Sequence, residues 1–434
     1  MIHDYLQLLN IKELKPMQVK ALDNIKNGSQ VILLSPTGTG KTLAFLLPLV
    51  ELLDASVSGV QALILLPSRE LALQIEKVFK AMKTGFKVNT CYGGHPITTE
   101  LNNLSIPPSL LIGTPGRIAD HIRRKSFNTK NIRTIVLDEF DKSLELGFKD
   151  EMEFIIGSID NITTKILTSA TNLEEIPAFV ELKDPIYLDF LEKGVDSVLI
   201  HKLVRSEGND KLDLLFRLLC QLGQESNLVF CNHREAVNRI SELLTDKGIA
   251  HGIFHGGMEQ DQREVSLIKF RNGTHHILLT TDLAARGLDI PEIKNVIHYQ
   301  LPTTRNSWMH RNGRTARMDK NGSAWLVMAQ NDYIPDFITE PIHEMVLGEE
   351  AGLPDPTPWE TIYISLGRKD KISKGDIAGF LMQVGLLKKE EIGRIEVQDY
   401  ASFAAIDRSV VKPMLKQLSG QQIKRKTVKV EIAH

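Results

Sequence analysis

Two short stretches carry the residue types that phosphate chemistry needs. In Val31-Ile32-Leu33-Leu34-Ser35-Pro36-Thr37-Gly38-Thr39-Gly40-Lys41-Thr42, four apolar residues lead into a loop with two glycines, a lysine and a threonine. Glycines let backbone N–H groups converge on anionic oxygens. A following helix adds partial positive charge at its N-terminus, and Lys41 adds a full one. Thr42 offers a hydroxyl to a hydrated Mg²⁺. The complete phosphate-loop pattern has Gly five residues before Gly40, and Ser35 stands there instead. Gly-Lys-Thr alone is a weak signal; the apolar strand before it and the helix after it turn it into a nucleotide site. The second stretch is Asp138-Glu139, directly after the apolar run Thr134-Ile135-Val136-Leu137. An acid at the end of a buried strand is badly placed for stability and well placed to hold hydrated Mg²⁺. The next carboxylate can orient and deprotonate a water aimed at a γ-phosphate.

These groups need a scaffold, and the flanking sequence supplies a repeating one. Ala62–Leu66, Ser109–Gly113, Thr134–Leu137 and Lys165–Thr168 read as short buried strands like Val31–Leu34. Each ends in polar residues: Pro67-Ser68-Arg69-Glu70, Thr114-Pro115-Gly116-Arg117, Asp138–Asp141 and Ser169-Ala170-Thr171. Ligands bind at the carboxyl ends of strands in open parallel α/β sheets, so the shared pattern predicts one site. Gln18 could present both faces of its amide to an adenine edge, but taken alone it reads as a surface residue near a helix start.

The 434 residues suffice for two or three domains, and the 42% hydrophobic share permits several cores. No apolar run reaches membrane-spanning length, and the N-terminus lacks a charged-then-apolar signal. Cys91, Cys220 and Cys231 show no metal or disulfide spacing, which fits a reducing, cytoplasmic setting. Residues 361–434 hold fourteen Lys and Arg against eight Asp and Glu, a balance of +6 that leaves −8 on the rest of a chain of net charge −2. A basic tail on a mildly acidic body suggests an anionic partner for the tail.

In this order the motifs resemble those of the DEAD-box RNA helicases. The matching pieces are Gln18, Ser35–Thr42, Pro67–Leu71, Gly93-Gly94, Thr114–Arg117, Asp138–Asp141 and Ser169–Thr171. The namesake motif reads Asp-Glu-Phe-Asp, with Phe140 in place of Ala. The family's upstream aromatic near the adenine has no counterpart, and Tyr5 is the candidate substitute. The resemblance implies ATP and Mg²⁺ bound by Gln18, Ser35, Thr37, Gly38, Thr39, Gly40, Lys41, Thr42 and Asp138, with Glu139 activating water.

The segment Phe190–Asp210 has no strong periodicity and reads as a linker. Strands return at Leu228–Cys231, Gly252–His255, Ile277–Thr280 and Val296–Tyr299, forming a second α/β unit without its own phosphate loop. His310-Arg311-Asn312-Gly313-Arg314-Thr315-Ala316-Arg317 places arginines at spacing three, suited to the dispersed charge of a phosphoryl transition state. The resemblance makes Arg314 and Arg317 arginine fingers, couples His310 to the acidic motif and puts Asp289 on the ribose. It also implies RNA-backbone contacts from Arg69, Gly94, Thr114, Arg117, Gly256, Arg263 and Thr281. Asn312 and Ala316 replace the commonest Ile and Gly; neither removes a charge, and little loss is expected. The implied mechanism is a pair of RecA-like lobes that close on ATP and RNA together and bend one strand out of its duplex.

After a linker marked by Pro354, Pro356 and Pro358, the order βαββαβ matches an RNA-recognition (RRM) fold. Tyr363 and Phe403 are the candidate stacking residues, with Ala401 at a usual aromatic position. Ile392–Ile395 and Ser402–Ala404 resemble the tail domain of the DbpA group of DEAD-box helicases, which binds large-subunit ribosomal RNA. The expected architecture is α/β: RecA-like domains at 1–195 and 205–340, then a small α+β RRM-like domain at 361–434. The expected protein is a monomeric RNA-dependent ATPase that unwinds RNA with no membrane partner. The alternative is an ATP-gated RNA clamp or scaffold with little unwinding.

Overall fold

The structure, a computed structural model, describes residues 2–26, 30–36, 38–94, 96–171, 175–191, 199–208, 210–282, 293–316, 321–348 and 352–434. The chain divides near residue 197 into two compact units.

The first unit is built on seven strands: β1 (Val31–Leu34), β2 (Ala62–Leu65), β3 (Val88–Cys91), β4 (Leu110–Gly113), β5 (Thr134–Leu137), β6 (Thr164–Ser169) and β7 (Ile186–Asp189). They form one parallel sheet in the order β3-β4-β2-β5-β6-β1-β7. Helices cover both faces, so the central strands read as unbroken Leu, Ile and Val rather than alternating. Val31, Leu33, Ile64 and Val136 point to one core cluster, and Ile32, Leu63, Ile135 and Leu137 point to the other. The order decides the site. β6 lies between β1 and β5, with Val31 beside Ile166 and Thr134 beside Thr164. The loop after β1, the Ser-Ala-Thr turn after β6 and the acid pair after β5 therefore leave adjacent strands at the same edge.

The second unit holds another parallel sheet: β8 (Leu199–Arg205), β9 (Asn227–Cys231), β10 (Gly252–Phe254), β11 (Ile277–Thr281), β12 (Asn295–His298), β13 (Gly322–Met328) and β14 (Ile342–Glu344), in the order β10-β11-β9-β12-β13-β8-β14. The linker expected over Phe190–Asp210 is corrected by β8, which pairs with both β13 and β14. His201, Lys202 and Arg205 break its apolar pattern, and pairing on both sides makes it a strand regardless.

The remainder of this unit is a four-stranded antiparallel sheet, β15 (Trp359–Ile364), β16 (Ile392–Val397), β17 (Ser402–Asp407) and β20 (Val430–Ile432), in the order β16-β17-β15-β20. A short hairpin, β18 (Gln422–Ile423) and β19 (Lys426–Thr427), precedes the last strand. Helices Lys374–Gln383 and Arg408–Leu418 pack Ile377, Phe380, Val411 and Met414 against Ile362, Ile364, Ala404 and Ile406. Four such strands with two helices on one face are the expected α+β arrangement. Among the described residues no helix is long and apolar enough to cross a membrane, and all three cysteines are buried free thiols.

Candidate functional site

β1 delivers Ser35, which is buried and whose N–H donates to the Ser169 carbonyl at 3.0 Å. This bond joins the loop to the strand end beside it. The Ser35 hydroxyl lies 2.8 Å from that of Thr39, and the Thr39 hydroxyl donates to the Pro36 carbonyl at 2.9 Å. Gly38 and Gly40 sit at φ 80° and 99°, in the left-handed region where glycine carries no Cβ penalty. At Gly40 a Cβ would also stand 2.6 Å from Gln18 Nε2. Gly40 caps the helix Lys41–Leu52, whose N-terminus faces the loop. The Lys41 ammonium donates to the carbonyls of Ser35 at 2.5 Å and Pro36 at 3.2 Å, so a charged group is already focused on the loop. Thr42 follows it, half-buried. Thr37 lies outside the described residues.

Gln18 is not the surface residue that its isolated sequence suggests. It is 5% exposed, accepts from the Lys15 N–H at 2.9 Å and donates to the Gly40 carbonyl at 3.2 Å. Its amide still has one hydrogen and one lone pair beyond these bonds, which matches an adenine edge. Tyr5, the candidate substitute for the upstream aromatic, is 8% exposed and packs in the first core cluster.

β5 delivers the acids. Asp138 is buried, and the Thr168 hydroxyl at the end of β6 donates to its carboxylate at 2.5 Å. Burial pushes this carboxyl up from its ordinary range, while the Thr168 bond and the Lys41 charge pull it back. Glu139 donates its N–H to the same Thr168 hydroxyl at 3.3 Å and adopts φ 47°. A non-glycine residue held there stores about 1–3 kcal/mol of strain and persists only where its surroundings fix it. Thr171 completes the link by donating to Asp141 at 2.9 Å. Phe140 turns into the core and packs near Phe179, which is why an aromatic fits where the family has Ala.

A second group gathers beyond β2, β3 and β4. The Arg69 guanidinium stacks on the Tyr92 ring at 4.7 Å, Gly94 sits at φ 95°, and Arg117 donates through Nε to the Tyr92 carbonyl at 3.2 Å. Thr114 caps the helix that carries Arg117. Two of these expected RNA contacts, Arg69 and Arg117, thus converge on Tyr92, which the sequence did not single out.

In the second unit, Gly256 is exposed just after β10, and Arg263 stacks on Phe254 at 4.8 Å. Thr281 ends β11. His310 and Arg314 are both buried near the end of the helix Arg305–Asn312. Arg317 and Asp289 lie outside the described residues. The arginine spacing is corrected at its first member: Arg311 is 1% exposed and grips Asp282 with Nε and Nη2, both at 2.6 Å. It also donates to Gln300 and Asn232, so it builds the second unit. Asn312 pairs with the buried His298 at 2.9 Å. Ala316 takes φ 50°, where an alanine in place of the family's Gly costs about 1 kcal/mol.

The tail departs most from expectation. Phe403 is 3% exposed and packs with Ile268, Val265 and Ala433, and Tyr363 is half-buried edge-on against it at 5.7 Å. The sheet face expected to stack bases is covered by the helix Gln260–Arg271, so Phe403 does not serve as a stacking platform here. Arg271 reaches both Glu396 oxygens at 3.3 Å, and Asn272 donates to Thr361 at 3.1 Å. Even the proline-marked linker is seated, with Thr357 donating to the Thr274 carbonyl at 2.8 Å. Burying a phenylalanine contributes about 2 kcal/mol, which explains why the aromatic was spent on packing.

Comparison with known proteins agrees with this geometry. Residues 15–178 match the DEAD/DEAH box helicase family, 210–319 the helicase conserved C-terminal domain and 361–432 the DbpA RNA binding domain. The chain is 32% identical to the ATP-dependent RNA helicase DbpA of Escherichia coli, over 98% of this chain and 97% of that protein. It is 34% identical to the ATP-dependent RNA helicase eIF4A of Mycosarcoma maydis, over 76% and 83%. Among solved structures, Saccharomyces cerevisiae Dbp5 bound to RNA and ADP BeF3 is similar at TM-score 0.69 and 27% identity, covering 79% of this chain and 92% of that one. Mss116p bound to ssRNA and AMP-PNP is similar at TM-score 0.69 and 27% identity, covering 76% and 72%. The chain belongs to the DEAD-box family of ATP-dependent RNA helicases and is an RNA-dependent ATPase with two RecA-like domains and a DbpA-type tail.

Proposed function

We propose that this DEAD-box protein couples ATP binding and hydrolysis to the local separation of short RNA duplexes on a structured RNA of the large ribosomal subunit, as a cytoplasmic monomer. The observation that carries the nucleotide part is the convergence of Lys41, Asp138, Glu139 and Thr171 at the carboxyl ends of three adjacent strands. In this reading Gln18 recognises the adenine edge, and the loop Ser35–Thr42 holds phosphate oxygens. Asp289 contacts the ribose, and Glu139 orients the attacking water. Arg314 and Arg317 meet the charge that develops on the transferred phosphoryl group, and His310 positions the acidic motif. Thr42 and Asp138 offer hard oxygen ligands that fit Mg²⁺, and a cation there would oppose the effect of burial on Asp138. When bound, Mg²⁺ neutralises phosphate charge. Arg69, Gly94, Thr114, Arg117, Gly256, Arg263 and Thr281 contact RNA backbone.

The tail supports the ribosomal part through its match to the DbpA RNA binding domain and through its charge. With Phe403 packed away, recognition falls to other surfaces. Lys412, Lys416 and Arg425 are exposed on the helix Arg408–Leu418 and the β18–β19 hairpin. Replacing all three with Ala in the full chain tests this. The large-subunit RNA concentration that half-stimulates ATPase should rise about tenfold, and the log–log salt slope should fall by about 2–3. Stimulation by an unrelated single strand should move less than about twofold. Equal shifts for both RNAs would remove the targeting role.

A further inference from the structure

The helix Ile97–Leu104 turns an acid inward. Glu100 is 1% exposed, and a buried carboxylate is costly unless donors surround it. Here three do. Oε1 accepts from the Tyr92 N–H at 2.8 Å, Oε2 accepts from His121 Nε2 at 2.7 Å, and the same Oε2 is ion-paired with Arg117, 3.1 Å from its Nε. Arg117 Nε donates to the Tyr92 carbonyl, so two hydrogen bonds and one ion pair close a ring through Glu100, Tyr92 and Arg117. The Tyr92 side chain continues outward under Arg69, and Arg69 in turn lies beside Gly94. Cys91 Sγ, a Glu100 oxygen and a His121 nitrogen lie within 4.8 Å of one another, a spacing that would suit a metal ion. The Arg117 guanidinium already supplies the positive charge on that carboxylate, and burial raises the Cys91 thiol away from the thiolate a metal needs.

We propose that Glu100 is a positioning residue for RNA, holding Arg117 and the Tyr92–Gly94 turn in the orientation that meets consecutive backbone phosphates. Arg117 is held at Nε yet keeps 16% of its side chain exposed, so it lies at the rim of the buried ring rather than within it. An arginine pre-oriented in this way loses less freedom on binding a phosphate. The proposal rests on the reading of Arg69, Gly94 and Arg117 as backbone contacts.

The test uses the full-length protein with Glu100→Gln, Arg117→Ala, the double variant and Arg117→Lys. The readouts are RNA half-saturation of ATPase, its salt slope, KM for ATP and the turnover at saturating RNA. Glu100→Gln should raise RNA half-saturation about tenfold and lower the salt slope by about 1, with KM for ATP and saturated turnover within about twofold. In the Arg117→Ala background it should add less than about twofold, because both act through one contact. Arg117→Lys keeps charge without the shared Nε bond and should behave like Glu100→Gln. Arg117→Ala weakening RNA while Glu100→Gln does not would overturn the positioning role, as would a full tenfold effect added on Arg117→Ala. If Glu100→Gln does not fold, Arg117→Lys decides: wild-type RNA half-saturation would overturn the role. Arg117→Ala without effect on RNA would instead overturn the underlying backbone-contact reading.

Discussion

Replacing Glu139 with Gln should lower RNA-stimulated ATP turnover by about 10²–10⁴-fold, the range expected when a positioned general base is removed. Half-saturation by ATP and by RNA should stay within about twofold, because the amide keeps the size and one acceptor of the carboxylate. The reason lies in how the two adjacent acids are held. Asp138 is committed to the Thr168 hydroxyl, beside the Lys41 charge. Glu139 has its backbone pinned at φ 47° by a bond to the same hydroxyl, a strained arrangement at the strand end next to the phosphate loop. Phosphate release, read with fluorescent-nucleotide binding on the same protein, checks it. Turnover within a few-fold of wild type would reject Glu139 as the group that orients water.

The second large effect is expected at Arg314. Substitution by Ala should reduce turnover about 10³-fold or more, as removal of an arginine finger does, and leave ATP affinity nearly unchanged. Charge on the transferred phosphoryl group peaks in the transition state, so a contact made to it alters kcat rather than ground-state binding. Arg314→Lys should recover little, because a point charge does not reproduce the two-oxygen fork. Arg311→Ala is the informative contrast. Its guanidinium is spent on Asp282, Gln300 and Asn232, so its loss should appear as lowered unfolding stability. An Arg314→Ala protein that is folded, binds ATP and hydrolyses it normally would exclude the finger role.

Much of this was legible in the sequence because it depends on local pattern. Buried strands such as Val31–Leu34 and Thr134–Leu137 are apolar on both faces, and the polar residues that follow them have to emerge at a sheet edge. What escaped depends on partners distant in the chain. β8 is mixed in polarity and is a strand because β13 and β14 flank it. Phe403 looked like a stacking residue because its strand position allows it; only the fold reveals that it packs with Ile268 and Ala433. Arg311 reads like Arg314 as a letter, and only the fold shows its guanidinium spent on Asp282, Gln300 and Asn232. Glu100 did leave a trace, since it falls three residues after Ile97 and four before Leu104, on one helical face where an acid needs a buried partner. Its partners, at Tyr92, Arg117 and His121, could not be read from that face.

The most direct measurement is steady-state ATP turnover of the full-length protein with and without large-subunit ribosomal RNA, run alongside separation of a short labelled duplex. A coupled helicase should show little turnover alone, at least tenfold stimulation by RNA, and strand separation that stops when Glu139 is changed to Gln. Turnover that ignores RNA, or RNA held tightly with ATP bound but no duplex separated, would contradict it and leave a nucleotide-gated clamp in its place.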